Sequence, residues 1–356
     1  MPDDVLVIDL GSGVVKAGWA GEDQPRSTQP MAVARVRRAS AAPTSNDDLL
    51  TGNDAIRSVA DHSHALELMS PLDRGEIVEW NAVQQTFASI YAHDLGGVDS
   101  SAYPVLITES PFASPKQREK LADLLFRHFR APAILIYNAA VLSLFSSGLT
   151  TGLVVESGES STYTVPIFEG YPLRHGIDSM AISGVELTHH MTAALQKPDL
   201  RLDVARDIKE RFAAVRGNQH HVLDPVQYEL PDGTMLSIPN EVRYSTGEML
   251  FQQGLPDVVF RSLAKCDSNL QTAMLSRIVT AGGSTLMRGF HDRFTSEIET
   301  RAHELYPGAQ AAVFGKRKHA AWMGGSMLAS LSTFTDLKIT RQEFEDGDDI
   351  VHKKYF

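Results

Sequence analysis

The amino-acid sequence predicts an α/β protein of two related domains, and three observations carry that expectation. Strand-like and amphipathic helical segments alternate along most of the 356 residues, the pattern of helices layered on sheets. A strand, an acid, a glycine turn and a second strand open the chain at "VLVIDLGSGVVKAGWAG" (5–21) and recur at "GLVVESGESSTYTVPI" (152–167), which puts the two acids, Asp9 and Glu156, 147 positions apart. The length suits two domains that each bury a core.

Taken in order, the first hairpin-like unit runs to about Pro30, and residues 34–62, polar and rich in small side chains, read as a small, exposed, mobile appendage. "YPVLITE" (103–109) reads as a buried strand. "SPKQREKLADLLFRHF" (114–129) reads as an amphipathic helix with Ser114 as N-cap and Pro115 in the first turn. "PAILIY" is a further strand, and "AAVLSLFSSG" a helix closed by Gly148. The pattern restarts at Gly152: strand, turn, strand, then a helix from about Val185. "LDVARDIKERFAAV" (202–215) is strongly amphipathic, "RIVTAGGSTLMRGFHDRFTSEI" reads as strand, glycine turn and helix, and "AAWMGGSMLASLSTF" as a largely apolar helix.

Composition excludes several classes. A net charge of −11 opposes nonspecific attraction to nucleic-acid phosphates, although it leaves open a complex in which other subunits touch DNA. A single cysteine, Cys266, rules out an internal disulfide and suits a reducing compartment. The opening "MPDDV" is acidic with no long apolar stretch, so no secretory signal is expected, and no run approaches bilayer-spanning length. A cytosolic or nuclear protein is expected.

The two turns carry the chemistry. Glycines let backbone N–H groups approach an anion, and the concavity they form attracts phosphate. In the first turn Gly11, Ser12 and Gly13 supply that backbone, Ser12 a hydroxyl, Lys16 a positive charge, and Asp9 a carboxylate for a metal-bound water. The second offers Glu156, Ser157, Gly158, Glu159, Ser160 and Ser161, with the acid again two positions before a glycine. Either turn alone is an ordinary hairpin; as a pair they suggest two grips on a polyphosphate with Mg²⁺.

Nine segments in collinear order, "DLGSGVVKAGWAGEDQPR", "YPVLITESPF", "AVLSLFSSGLTTGLVVESGE", "VPIFEGYPL", "RDIKER", "YELPDG", "GGSTLMRGFHDR", "WMGGSMLASLSTF" and "IVHKKYF", resemble actin and actin-related proteins from end to end. The resemblance implies an actin-like ATPase fold: two ribonuclease-H-like domains, four subdomains, with ATP or ADP and Mg²⁺ (or Ca²⁺) in the cleft. It implies a first large domain of residues 1–146 plus 320–356, with 31–68 as its small polar subdomain, and a second of 147–319, with 183–256 as its small subdomain. By position, the ATP contacts fall on Gly11, Ser12, Gly13, Lys16, Ser157, Gly158, Glu159, Gly184, Arg206, Lys209, Glu210, Gly282, Gly283, Met287 and Lys318, and the metal-side acids on Asp9 and Glu156, acting through water. Residues 206, 209 and 210 are spaced to share one helical face. Without the resemblance they would read as a solvated charged face.

Departures from the family pattern matter as much. Ala139 stands where actin has the glutamine that orients the attacking water, and Tyr163 where it has the assisting histidine. Glu156 is one methylene longer than the family aspartate, and Ser160 replaces a glycine. Misplacing a reacting group by about 1 Å costs on the order of 10²-fold in rate, so weak or absent hydrolysis is expected, with no catalytic residue assigned. The segment 38–52, "RASAAPTSNDDLLTG", is polar where actin has an apolar inserting loop, and "FQQGLPDVVFRSLAKCD" (251–267) is shorter than its counterpart. The loop after Val215 and the stretch Gln196–Asp203 read as trimmed too. The groove that actin offers to partners looks kept at Phe145, Gly148, Thr150, Tyr171, Leu328, Leu331 and Thr333, although core packing explains Leu328 equally well.

The expectation is a divergent actin-related protein that binds ATP as a structural ligand and works as a subunit of a cytoskeletal assembly. Its partners would be other actin-like or cytoskeletal proteins, with no direct nucleic-acid or membrane contact and a cytoplasmic, cytoskeletal location. Two alternatives stay open: an active ATPase that forms actin-like filaments, and a nuclear actin-related subunit of a chromatin complex. A sugar kinase would need a substrate-facing catalytic acid, for which the sequence offers no candidate.

Overall fold

The computed structural model describes residues 4–36, 50–61, 66–197, 199–217, 224–315, 318–347 and 349–354. The chain divides into two units, Met1–Ser146 with His319–Phe356, and Ser147–Lys318.

In the first unit, Leu6–Leu10 and Val14–Trp19 form an antiparallel hairpin whose first strand also pairs in parallel with Val105–Glu109. The full order is Ile339–Thr340, Ala133–Asn138, Val105–Glu109, Leu6–Leu10, Val14–Trp19 and Ser27–Pro30. The central strands are near-continuous runs of Val, Ile and Leu because helices cover them, and every residue of Val105–Glu109 is buried. Trp322, on the helix Ala320–Ala329, is fully buried and donates from Nε1 to the Val7 carbonyl at 3.1 Å, pinning that helix to the sheet.

The described part of the polar segment is ordered: strands Val33–Val36, Leu50–Thr51 and Leu66–Met69 form a small sheet with the helix Gly52–Asp61. Ala34, Ala55 and Val59 are its core, with Leu66 and Leu68 against them. These few apolar residues are the signal hidden by the polar composition. Residues 38–49 of the loop singled out in the sequence lie outside the described residues, as do 218–223 after Val215 and residue 198.

The second unit repeats the arrangement. Gly152–Ser157 and Thr162–Phe168 form the hairpin, and Ile278–Ala281 runs parallel to the first of them. One core gathers around Leu153, Leu250, Phe290 and Phe294. A second, around Met191, Val204, Ile208 and Ile238, sits beneath the helices Gly184–Ala194 and Leu202–Phe212.

Element boundaries differ from the sequence expectation at three helices. The segment 114–129 is α-helical only over Pro115–Asp123, capped by Ser114 Oγ accepting from Gln117 N at 3.2 Å, and continues as a π-helical turn, Leu124–His128. The helix expected over 202–215 ends at Phe212 because Ala213–Val215 turn away to pair with Arg288; Val215 N donates to its carbonyl at 2.8 Å. The apolar helix near the end stops at Ala329, and Phe334–Leu337 is a separate short turn.

Candidate functional site

Both acids end up in the same place in their hairpins, near the end of the first strand. In the first unit Asp9 pairs across the ladder with Lys16, whose Nζ donates to Asp9 Oδ2 at 2.8 Å. Thr108 Oγ1, brought in by the parallel strand, donates to Asp9 Oδ1 at 3.0 Å and accepts from Leu10 N at 2.9 Å. The Gly11-Ser12-Gly13 turn is held by Met31 N donating to Gly13 O and by Ser70 Oγ donating to Ser12 O. A Cβ on Gly11 would come within 2.6 Å of the Val14 carbonyl oxygen and 3.3 Å of Lys16 Nζ. Asp9, Gly11, Ser12, Gly13 and Lys16 thus form one cluster.

In the second unit the ladder partner of Glu156 is Tyr163, at the hairpin position that Lys16 holds in the first. A buried hydroxyl pair, Ser157 and Thr162 at 2.9 Å, closes the hairpin, and Gly158 N donates to Ser161 O. The turn then docks on the start of the helix Gly184–Ala194. Gly184 N donates to Gly158 O, Val185 N to Glu159 O, and Ser183 Oγ to Glu159 O, at 2.8–2.9 Å. A capping box, with Glu186 accepting from Ser183 N at 2.8 Å, fixes that helix start. A Cβ on Gly184 would press within 2.9 Å of Glu159 Cα and Gly158 O, so only glycine permits this approach.

Glu159 is the hub of the charges. Lys209 Nζ reaches its Oε2 at 3.3 Å and the Gly184 carbonyl at 2.8 Å, while Arg206 lies 3.7 Å from Oε1 and donates to Glu210 at 2.8 Å. Three charges spaced i, i+3, i+4 on the helix Leu202–Phe212 therefore share the face turned to Glu159. Burial pulls the Lys209 ammonium below the ordinary lysine range, against the attraction of Glu159. Burial also opposes charge at Arg206, but Glu159 and Glu210 hold its guanidinium above the usual value.

Gly282 has φ +88°, and a Cβ there would overlap the Ser157 carbonyl oxygen, so it belongs to the same cluster. A Cβ on Gly283 would meet nothing within 4 Å. Met287 follows the short turn Gly283–Leu286 and lines, with Thr285, Leu286 and His291, a cavity of about 380 Å³. Lys318 is exposed.

The family model described as Actin matches residues 2–221 and 200–356. The chain belongs to the actin family. Its mixed α/β sheets are those of the actin-like ATPase fold, a family whose members bind ATP or ADP with a divalent cation and interact with other proteins.

Against the actin pattern, Ala139 is the first residue of the helix Ala139–Phe145, which is capped by Asn138 Oδ1 accepting from Ala140 N at 2.9 Å and Val141 N at 3.3 Å. It presents only a methyl group. Tyr163 is buried in the strand Thr162–Phe168. Of the residues expected at a partner surface, Phe145, Leu328, Leu331 and Thr333 belong to the first unit and Gly148, Thr150 and Tyr171 to the second. Leu328 is buried in the core, Phe145 is partly so, and Leu331 and Tyr171 are more than half exposed.

Within each unit the glycine turn brings an acid and bare backbone together, the donor types that a divalent cation and a phosphate use. Gly11 and Gly282 are packed on the Val14 and Ser157 carbonyls, and the space beside Gly283 is open. Among the described residues no three His, Cys, Asp or Glu gather as a metal cage. No described helix is long and apolar enough to cross a membrane. Thr108 and Ser183 escaped the sequence reading. Thr108 is 99 positions from Asp9, with no local signal, whereas Ser183 with Glu186 was readable as a capping box.

Proposed function

We propose that this chain is a divergent actin-related protein that binds ATP with Mg²⁺ (or Ca²⁺), hydrolyses it very slowly or not at all, and serves as a structural subunit of a cytoskeletal assembly. The observation that carries the reading is the open backbone at Gly283: its neighbour Gly282 is packed on the Ser157 carbonyl of the second turn, while a Cβ on Gly283 would meet nothing within 4 Å. Open backbone at a glycine turn is what a phosphate chain needs. Ser12 and Lys16 would hold phosphate oxygens in the first unit, and Ser157, Gly158 and the Gly282–Gly283 backbone in the second. Arg206, Lys209, Glu210 and Met287 would hold the nucleoside. Bound Mg²⁺ would neutralise phosphate charge, with Asp9 and Glu156 orienting its waters. Ala139 has no group to place a water, and the Tyr163 phenol is a poor base near neutral pH, so the triphosphate persists and stabilises the fold.

A ligand that binds only the folded chain adds about 2.7 kcal/mol at a hundredfold excess over Kd. Protein stripped of nucleotide should therefore melt several degrees higher in millimolar Mg-ATP. An unchanged melting temperature in stripped protein would overturn the reading.

A further inference from the structure

Away from both glycine turns, the first unit carries a cavity of about 490 Å³ lined by Phe126, Arg127, Arg130, Arg341, Phe344 and Glu345. Three guanidinium groups around one cavity are unexpected in a chain of net charge −11. The two phenylalanines are its buried floor, each about 3% exposed and stacked with ring centroids 4.7 Å apart at 24°. Arg127 lies over the Phe344 ring and pairs sideways with Asp123 at 3.0 Å.

The other two guanidinium groups are not so engaged. Neither Arg130 nor Arg341 forms an ion pair among the described residues; Asp99 lies near Arg130 only as a longer-range attraction, and Glu345 is the one acid in the lining. Arg341 Nη2 donates to the Ala131 carbonyl at 3.1 Å, while its Nε is buried without an acceptor. A buried donor left unmade is costly, and a charged one more so. Arg130 is also held at φ +57°, a left-handed conformation that a long side chain adopts rarely. Strain and an unmet donor at one cavity are the marks of a site shaped for a ligand rather than for stability.

The geometry points to a docking pocket for an acidic peptide segment of a partner protein, with a carboxylate taken by Arg130 and Arg341. Guanidinium forks match carboxylates in two-point hydrogen bonds, and two such forks at one pocket suit the closely spaced carboxylates of an acidic segment. A nucleic acid fits poorly, because the acidic chain as a whole repels a polyanion and the cavity is a single pocket rather than a stripe.

The test selects random displayed dodecapeptides on the full-length protein, with counter-selection on the Arg130→Gly variant. Glycine accepts the left-handed conformation, so this variant should melt no lower than the parent while losing the charge. Arg341→Gln, which keeps side-chain donors, serves as the second variant. Peptides retained only by the parent should be enriched in Asp or Glu. A synthetic, terminally blocked copy should bind at least tenfold more weakly to either variant, and also when its acids are changed to amides. Peptides that fail to distinguish parent from variants, or that are not acidic, would overturn the proposal. So would displacement of the bound peptide by millimolar inorganic phosphate, which would assign the pocket to a small free anion.

Discussion

Lys16 donates to Asp9 at 2.8 Å across the first hairpin, so the cation expected to meet phosphate and the acid expected to meet metal-bound water are each other's ladder partners. At the corresponding pair of the second hairpin, Glu156 faces Tyr163 and no such ion pair can form. The two glycine turns are therefore not equivalent: charge is balanced within the first and around Glu159 in the second.

Lys16→Ala should act twice. It strips a largely buried carboxylate of its cation, leaving the Thr108 hydroxyl on Asp9 Oδ1, and should cost about 1–3 kcal/mol of stability. It should also abolish the rise in melting temperature with Mg-ATP. Calorimetry with and without nucleotide separates the two effects. A variant that melts lower yet keeps the full nucleotide shift would remove Lys16 from the site.

Neighbouring glycines should respond oppositely to alanine. Gly282→Ala places a methyl group against the Ser157 carbonyl at φ +88° and should destabilise by roughly 3 kcal/mol. Gly283→Ala enters open space and should leave the melting temperature nearly unchanged while weakening nucleotide binding. Equal losses of stability in both would contradict the geometry.

Much of this was legible in the sequence because the hairpins are local. An apolar run, an acid and a glycine turn sit within a dozen residues, and the i, i+3, i+4 charges at 206–210 follow from helix geometry alone. Residues 34–62 misled because polar composition hid a small sheet whose core is only a few alanines, valines and leucines. Thr108 and the convergence of Gly282 on Ser157 are products of parallel strand pairing over long sequence distances, which no local pattern reports.

Stability should depend on acid through Glu343. Hydrogen bonds from the Thr340 backbone and hydroxyl, with Lys354 adding to them, hold its carboxyl down to about 2 from 4.5. A depressed folded pKa means that the contribution is present above the unfolded value and is lost as pH falls from about 4.5 toward 2. Denaturant titrations across that range should show a smaller acid loss for Glu343→Gln than for the parent. An identical pH slope in the two would rule Glu343 out.

Phosphate release in a single turnover should be far slower than in polymerising actins, since Ala139 offers a methyl group and Tyr163 a phenol where water must be placed and deprotonated. Ala139→Gln with Tyr163→His should raise the rate, with the melting temperature followed because Tyr163 is buried. No gain in a folded double variant would point to Glu156 and Ser160 as the limiting changes.

Pure protein should not assemble into long two-stranded filaments. Such filaments need contacts along each strand and between strands, and the second kind relies in actin on an apolar plug. Here the helix Asn240–Gln252 passes to Leu255–Ala264 through Gln253 and Gly254 alone, with Gly254 at φ +85°, which leaves no chain to form a plug. Each 100 Å² of apolar contact forgone loses roughly 2.5 kcal/mol, enough to remove association at micromolar concentration when a few such patches are missing. Leu331 and Tyr171 remain exposed for a partner. Sedimentation in polymerising salt should find a monomer or short oligomer, and Thr333→Glu should weaken partner binding without changing the melting temperature. Micrometre-long double-stranded filaments of the pure protein, seen by electron microscopy, would instead make it a self-assembling actin.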